Sequence, residues 1–243
     1  MGGRVGSRTT DIVKDGLVFN IDAGNIASYD GNTTILNTLD LNESGSFEGG
    51  PTAQFTSSFN YFNFDGVDDW IRIDNDQFPS NRSAFTVECI WSPWATHTGY
   101  RSGVLSKWQT GGGSNNEWFL GRRGASGIVP FQWTVQTDSQ YYSVSSSINY
   151  AVDQWYHQVG TFDGGNSGFQ KIYVNGIGYQ STSSGATSCK TYTSQDVALS
   201  TFGSSYQYEG KNNIARFAYY NRALSSREVL QNYNGLKERF NLI

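Results

Sequence analysis

Short runs in which apolar and polar residues alternate recur along most of the chain. The clearest run is FTVECIW, where Phe85, Val87, Cys89 and Trp91 share one face and the residues between them share the other. This period of two is typical of a β-strand that packs one face against a hydrophobic core. We therefore expect the face that carries Trp91 to be buried.

Similar runs predict strands through the first three quarters of the chain. They span residues 17–21, 61–64, 70–73, 85–91, 103–107, 117–121, 131–136, 142–146, 156–162 and 169–174. Clusters of glycine, asparagine and serine separate the runs, and these residues supply the backbone geometry of turns. Strands that alternate with long amphipathic helices would indicate a parallel sheet, but no helical pattern appears in roughly the first two hundred residues. The pattern predicts an all-β sandwich or barrel.

Two tight turns predict β-hairpins around residue 170. The segment DGGN at 163–166 separates two apolar runs, and the segment NG at 175–176 separates residues 172–174 from residues 179–181. Asn-Gly is a strong hairpin signal because both central residues of a type I′ turn need a positive φ. We therefore expect two consecutive hairpins.

The end of the chain has a helical pattern instead. Ser225 is followed three residues later by Glu228, which is the spacing of a capping box at a helix N-terminus. We predict a short C-terminal helix over residues 225–240, which Gly235 interrupts or ends, because glycine costs about 1 kcal/mol relative to alanine inside a helix. Apolar residues follow the capping box at helical spacing; they are Val229, Leu230, Tyr233, Leu236 and Phe240.

Composition supports this interpretation and excludes several functions. Aromatic residues make up 15% of the chain and charged residues 16%, with a formal net charge of −4. Intrinsic disorder would need fewer aromatic residues and a larger net charge. The 17 basic residues are scattered and outnumbered by 21 acidic ones, so we expect no nucleic-acid partner. Neither a secretory signal nor a membrane span is visible, so we expect no membrane partner and synthesis in a cytoplasm.

The two cysteines do not predict a metal centre. Cys89 and Cys189 lie far apart in the sequence, without the paired spacing of zinc ligands or of a disulfide framework. Cys89 continues an apolar face, so we interpret it as a small core residue. A disulfide between the two cysteines is the alternative.

Four segments carry a family resemblance. They are DGLVFNIDAGNIASYDG at 15–31, FNFDGVDDWIRI at 62–73, WYHQVGTFDGGNSGFQKIYVNG at 155–176 and IARFAYYNRALSSREVLQNYNGLKERF at 214–240. Together they resemble the laminin-G-like, concanavalin A-like lectin/glucanase jelly rolls, in the form common in bacterial surface proteins and tailed-phage virion proteins. The resemblance implies a two-sheet antiparallel jelly-roll sandwich that ends in a short helix. We divide the chain into an N-terminal arm, residues 1–14, and a jelly-roll domain, residues 15–243.

That family includes glycosidases, whose catalytic carboxylates usually follow an E-x-D-x-x-E arrangement on one strand. Glu88 stands alone between Thr86 and Ile90, although retaining glycosidases need two carboxyl groups about 5 Å apart. His97 and His157 offer no catalytic triad. We therefore expect that the protein is not an enzyme. None of the glutamates begins the arrangement; they are Glu43, Glu48, Glu88, Glu117, Glu209, Glu228 and Glu238.

An acidic cluster is a candidate calcium site. Asp65 and Asp68 lie with Asp69 in the segment FDGVDDW, and some members of the family bind Ca²⁺ through loop carboxylates and carbonyls. Asp163 with Asn166 forms a comparable turn. The competing interpretation is structural, because Asp-Gly favours an Asx turn in which the carboxylate accepts hydrogen bonds from nearby backbone N–H groups.

Exposed aromatic side chains beside amides and hydroxyls are the expected signature of a glycan site. An aromatic face stacks on a sugar ring, and the polar groups orient the sugar. The segments WATHTGYRSG, GGGSNNEW and SQYY match this description. The alternative is that their aromatic residues belong to the core or to hairpins. The candidate contacts are Trp94, His97, Tyr100, Arg101, Asn115, Asn116, Trp118, Gln140 and Tyr141.

The family resemblance and the absence of a visible secretory signal together suggest a function. Release by cell lysis would bring such a protein outside the cell, which favours a phage virion accessory protein: a capsid decoration protein, a head or neck fibre, or a tail-associated adhesin. We expect a homo-oligomer on the virion surface that docks on other virion proteins through its arm and displays a lectin-like domain toward host surface polysaccharide. The alternative is a bacterial secreted or surface carbohydrate-binding module, which is extracellular and not catalytic.

Overall fold

Strands dominate the described part of the chain, which in this computed structural model comprises residues 11–78, 82–96, 101–108, 116–123, 127–192, 194–201 and 210–243. The strands within these residues are β1 (Leu17–Asp22), β2 (Thr34–Leu36), β3 (Ser44–Glu48), β4 (Thr52–Phe55), β5 (Asn60–Asp65), β6 (Trp70–Ile73), β7 (Ala84–Pro93), β8 (Arg101–Lys107), β9 (Trp118–Arg123), β10 (Pro130–Gln136), β11 (Tyr141–Asn149), β12 (Tyr156–Asp163), β13 (Phe169–Val174), β14 (Ile177–Ser183), β15 (Val197–Leu199) and β16 (Lys211–Tyr220).

The strands form two antiparallel sheets. Sheet I has the order β14-β13-β12-β7-β16-β5-β4, and β1 also pairs with β16. Sheet II has the order β11-β10-β9-β8-β15-β6-β3-β2. Every run that predicted a strand overlaps one of these strands. The predicted two-sheet antiparallel sandwich is therefore confirmed.

The core lies between the inward faces of the two sheets. Trp91, Trp118 and Trp133 are fully buried there, so the predicted inward face of β7 is confirmed. Trp133 of sheet II donates its indole N–H to the carbonyl of Thr161 in sheet I at 3.1 Å. Within sheet I, Trp91 donates its indole N–H to the side-chain oxygen of Gln158 at 3.0 Å. Both indole N–H groups therefore have partners in the core, and the bond from Trp133 joins the two layers.

The C-terminal helix, α1 (Ser226–Leu236), covers the outer face of sheet I. The predicted capping box is present, since the Ser225 hydroxyl accepts the N–H of Glu228 and the Glu228 carboxylate accepts the N–H of Ser225. Gly235 does not interrupt the helix, which ends at Leu236 and continues only as a turn toward the predicted end at residue 240. Because α1 lies on this face, β7 is buried on both sides, which its alternating pattern did not predict.

Both predicted hairpins are confirmed. A short 3-10 turn, Gly164–Asn166, joins β12 to β13. Asn175 and Gly176, at φ 50° and 75°, join β13 to β14, and Val174 pairs with Ile177. These positive φ angles are the ones that a type I′ turn requires.

Cys89 and Cys189 are both buried free thiols, and burial raises the pKa of each well above its ordinary value. A protonated thiol in the core behaves as a small hydrophobic group. Among the described residues, no helix has the length and apolar character needed to span a membrane.

The strands define two ends of the sandwich. At the rim end, β5 finishes at Asp65 beside Lys211, where β16 begins. At the arm end, β1 begins at Leu17 beside Tyr220, where β16 finishes. Part of the predicted arm already packs on the outer face of sheet I, because Val13 is buried and its N–H donates to a side chain of α1, and Ile12 packs against the cluster that contains Phe240.

Candidate functional site

The residues predicted to bind a glycan are not brought together. Trp94 directly follows β7 at the rim end, whereas Trp118 and Tyr141 begin β9 and β11 toward the arm end. Arg101 begins β8, and only its backbone is described. Of the remaining candidates, Asn116 and Gln140 are described. His97, Tyr100 and Asn115 lie outside the described residues.

Most of the described candidates are occupied by contacts within the fold. Trp118 is fully buried, so it belongs to the core and does not offer a surface to a sugar. Trp94 donates its indole N–H to the carbonyl of Phe64 at 2.9 Å, and Lys211 Nζ lies 5.4 Å from the centre of its ring. Asn116 is half-buried, whereas Gln140 is exposed and Tyr141 is 49% exposed, with its ring 6.5 Å from that of Trp108.

Asp65, Asp68 and Asp69 form an acidic cluster at the rim end. One carboxylate oxygen from each residue lies within 4.8 Å of the other two. Asp65 Oδ1 accepts the N–H of Val67 at 2.8 Å, so the predicted Asx turn is present. Burial raises the pKa of Asp69 above its ordinary value, and the carboxylates of Asp65 and Asp68 add to the rise.

Oxygen atoms grouped in this way are ligands that calcium prefers, since Ca²⁺ takes about six to eight of them. Asp65 and Asp68 are exposed and would supply the free oxygens, whereas Asp69 is buried and accepts the N–H of Asp65 at 3.0 Å. Asp163 pairs with Ala84 at the start of β7, which places it at the arm end. Asp163 therefore cannot share an ion with Asp65 and Asp68, and calcium binding stays a prediction.

A groove runs along the edge of the sandwich, between the β1–β2 loop and the β4–β5 turn. Its volume is about 220 Å³. We call it the edge groove; its lining residues are Ala23, Gly24, Ile26, Tyr29, Asp30, Gly31, Phe55 and Asn60.

Tyr29 and Phe55 form the aromatic wall of the edge groove. Their rings are nearly parallel, at 20°, with centres 6.5 Å apart. Phe62 meets the Tyr29 ring edge-on at 5.1 Å and so fixes it from the core side. Phe55 and Ile26, by contrast, are 69% and 84% exposed. Two large apolar side chains thus face solvent within one concave surface, which is a property of ligand sites.

Polar groups flank this apolar wall. Asp30 is exposed, and Asn60 is half-buried beside the groove. Asp30 Oδ1 accepts the backbone N–H of Asn32 at 3.3 Å and its side-chain N–H at 2.8 Å. An ionised carboxylate has about four acceptor positions, so Asp30 keeps acceptor capacity for the hydroxyl groups of a ligand.

Gly24 lines the edge groove in front of an ion pair. Behind it, Arg239 holds Asp22 through two N–H···O bonds of 2.6 Å each. Asp22 Oδ1 also accepts the N–H of Gly24 at 2.9 Å. A Cβ atom on residue 24 would lie only 2.8 Å from Nη2 of Arg239, so a larger residue here would displace the end of that side chain. The chain that follows α1 therefore supports the loop that forms the groove.

Glu88 is fully buried between sheet I and α1. It pairs with Arg216, accepts the Asn232 side-chain N–H at 2.6 Å, and lies 3.3 Å from His157 Nε2. Burial alone would raise the pKa of Glu88, but the charges of Arg216 and His157 outweigh it and lower the pKa to about 2. Glu88, which has no other carboxylate near it along its strand, is therefore paired with groups that are distant in the sequence.

Glu117 is a second fully buried carboxylate. It pairs with Arg82, and Lys107 Nζ lies 2.5 Å from its other oxygen. Burial lowers the pKa of Lys107 to about 8, although the charge of Glu117 opposes that change. Neither Glu88 nor Glu117 is accessible to a substrate in this arrangement.

None of the residues that line the edge groove was selected from the sequence. Tyr29 and Asp30 lie in the first segment of the family resemblance, whereas Phe55 and Asn60 lie between segments. The tripeptide Tyr29-Asp30-Gly31 does combine an aromatic ring with a carboxylate at a turn. This combination could have predicted Tyr29 and Asp30 as site residues. The exposure of Phe55, by contrast, has no signature in the sequence.

Comparisons with known proteins agree with this fold. The domain of a Geobacillus stearothermophilus GH43 arabinanase, domain 4 of AbnA in complex with arabinotriose, matches with a TM-score of 0.61 at 15% identity, over 89% of this chain and 98% of that one. The binding domain of Paraclostridial Mosquitocidal Protein 1 matches with a TM-score of 0.68 at 14% identity, over 90% of this chain and 52% of that one. The ligand-binding domain of botulinum neurotoxin serotype D, in complex with N-acetylneuraminic acid, matches with a TM-score of 0.65 at 15% identity, over 91% and 51%.

The chain spans about half the length of the two toxin domains, and identities this low show the fold alone. No curated protein gives a significant match. The sequence profile described as the concanavalin A-like lectin/glucanases superfamily matches residues 65–230, which is more than half of the chain. The chain therefore belongs to the concanavalin A-like lectin/glucanase superfamily.

Proposed function

We propose that this domain binds glycans without cleaving them, and that the edge groove holds the sugar. The observation that carries the proposal is the aromatic wall of half-buried Tyr29 and exposed Phe55 beside Asp30 and Asn60. Sugar rings have apolar C–H faces that stack on aromatic side chains, and their hydroxyls need polar partners at the edge of the ring. The edge groove offers both kinds of contact.

The comparisons support a binding role. The arabinanase domain, whose structure contains arabinotriose, shares the fold over nearly the full length of both chains. The toxin matches are also binding domains by name, although this chain corresponds to only half of each. A hydrolase would need two accessible carboxyl groups about 5 Å apart or more. Glu88 and Glu117 do not supply them, because each is buried in its own ion pair. Asp65 and Asp68 are exposed and close together, but they lie at the rim end, whereas the edge groove adjoins Asn60 at the opposite end of β5.

Replacement of the exposed ring tests the site. We expect Phe55→Ala to weaken binding to the best-bound oligosaccharide of a panel that includes arabinotriose by at least about tenfold, measured by titration calorimetry. Phe55→Trp should retain binding, since it keeps an aromatic face. Leu41→Ala is the matched control because Leu41 is a similarly exposed apolar residue, at 58%, outside the groove. Unchanged binding by Phe55→Ala would place the sugar elsewhere.

For the biological setting, we propose a virion accessory protein that attaches through its N-terminal arm and presents this groove to a host polysaccharide. Ile12 and Val13 pack on the outer face of sheet I and against α1, and neither residue lines the groove. Attachment through the arm therefore does not use the residues that line the groove.

Deletion of residues 1–10 tests this setting without disturbing the contacts of Val13. We expect a folded protein that is lost from purified particles, as measured by mass spectrometry. Normal incorporation of the truncated chain would contradict the anchoring role. Absence of the complete chain from particles, with presence on bacterial surfaces, would favour the secreted carbohydrate-binding module.

A further inference from the structure

We infer that the edge groove selects neutral sugars and discriminates against sugars that carry a carboxylate. This inference rests on the proposed function, since it concerns the ligand class of the same groove. It follows from the charges around the aromatic wall. Those charges are all on residues whose positions the structure describes.

Asp30 places a negative charge at the mouth of the edge groove. The residue is exposed, and Oδ1 accepts two N–H groups of Asn32, neither of which carries a charge. Among the described residues that line the groove there is no lysine or arginine. An anionic ligand would therefore meet a carboxylate without a lining cation to balance it.

Arg239 lies behind the groove but is already paired. Both of its terminal nitrogens bond the carboxylate of Asp22 at 2.6 Å. Asp22 is 5% exposed, so the pair is partly shielded from water. Charges interact more strongly in such a shielded environment than in bulk solvent. Recruiting Arg239 to an acidic sugar would leave Asp22 buried without its partner, which is unfavourable. Arg239 thus does not offset Asp30.

A neutral sugar suits the same groups. Two adjacent hydroxyls can donate to the two oxygens of one carboxylate, and hydrogen bonds to an ionised acceptor are stronger than neutral ones. The ring faces of that sugar can meanwhile lie on Phe55 and Tyr29. A sugar with its own carboxylate loses these donors where it faces Asp30 and adds a like-charge repulsion.

Matched pairs of glycans test the inference on the full chain. The probes are lactose with sialyllactose, and methyl-esterified with de-esterified oligogalacturonide, together with arabinotriose as a neutral pentose ligand. In each pair that binds, we expect the neutral member to bind at least about tenfold more tightly at low salt. The preference should shrink as salt is raised, because salt screens interactions between exposed charges.

Variants assign the preference to Asp30. Asp30→Asn should reduce the discrimination to within about twofold, and Asp30→Lys should reverse it. Asp40→Asn is a matched control, because exposed Asp40 bonds Asn42 as Asp30 bonds Asn32, at 3.0 Å and 2.9 Å, outside the groove. Asp40→Asn should leave the discrimination unchanged.

Two failures remain distinguishable. Tighter binding of the acidic member, still lost in Phe55→Ala, would overturn the selectivity and leave the proposed function intact. Discrimination that persists in Asp30→Asn would equally overturn the role of Asp30. If no probe bound at millimolar concentration, or if Phe55→Ala bound every probe as the wild type does, the proposed function would fall and the selectivity with it.

Discussion

The layer beneath α1 and the edge groove contain the same kinds of side chain in opposite environments. Beneath α1, Glu88 is fully buried and paired with Arg216, and the ring of Tyr233 stacks on His157 with centres 6.2 Å apart. In the edge groove, Asp30 and Phe55 are exposed. The same kinds of side chain are thus enclosed by partners in one region and open to solvent in the other.

The difference identifies where substitutions should change stability and where they should change binding. A buried charge that loses its partner remains desolvated, so its cost appears as unfolding free energy. An exposed ring or carboxylate has little folding energy to lose, so its removal should appear mainly in ligand affinity.

The largest expected effect breaks the buried pair. Glu88→Ala leaves Arg216 without its carboxylate beneath α1 and should lower the free energy of unfolding by about 3–5 kcal/mol, measured by urea denaturation. Phe55→Ala is the comparison from the groove and should change it by less than about 0.5 kcal/mol. If both variants lost similar stability, the contrast between the two regions would be wrong.

Acid should weaken the layer beneath α1 next. The pKa of Glu88 is about 2 in the folded protein, against an ordinary value of 4.5, so the unfolded state binds more protons between these two values. The stabilisation from Glu88 is therefore present above about pH 4.5 and lost as the pH falls toward 2, by roughly 3 kcal/mol in total. Denaturation midpoints of wild type and Glu88→Gln from pH 6 to pH 2 measure it. A parallel acid dependence in both proteins would argue against Glu88 as the source.

The smallest expected effect lies where the two regions meet. Gly24→Ala should displace the guanidinium of Arg239, whose side chain is 41% exposed, weaken its bonds to Asp22 and cost about 0.5–1 kcal/mol of unfolding free energy. Arg239→Met removes the same contact, so the two substitutions combined should cost less than the sum of their separate effects. Strict additivity of the two effects would show that Gly24→Ala acts through another contact.

The strands with clear alternation were predictable, and the short strands were not. The runs around β7, β12 and β13 matched their strands within a few residues. The three-residue strands β2 and β15 are too short to show a period, and β16 is buried along most of its length, which hides its alternation. The helix was predictable from Ser225 and Glu228 because capping is a local interaction.

The candidate site was much less predictable. Trp118 satisfied the sequence criterion for a glycan contact and is a core residue, whereas Phe55 was overlooked and is exposed. Both are aromatic residues at strand ends, and only the packing of distant segments distinguishes them. The edge groove likewise brings Tyr29 next to Phe55 and Asn60, which lie about 30 residues further along the chain. No local sequence pattern predicts this proximity.

The Glu88–Arg216 pair also constrains how this sequence can diverge. Loss of either residue alone leaves an unpaired charge enclosed by sheet I and α1, so a sequence with only one of the two replacements should be poorly folded. Replacement of both residues together by apolar residues of similar volume leaves no unpaired charge. Homologous chains should accordingly retain both charges or neither, and positions 88 and 216 should covary although 128 residues separate them.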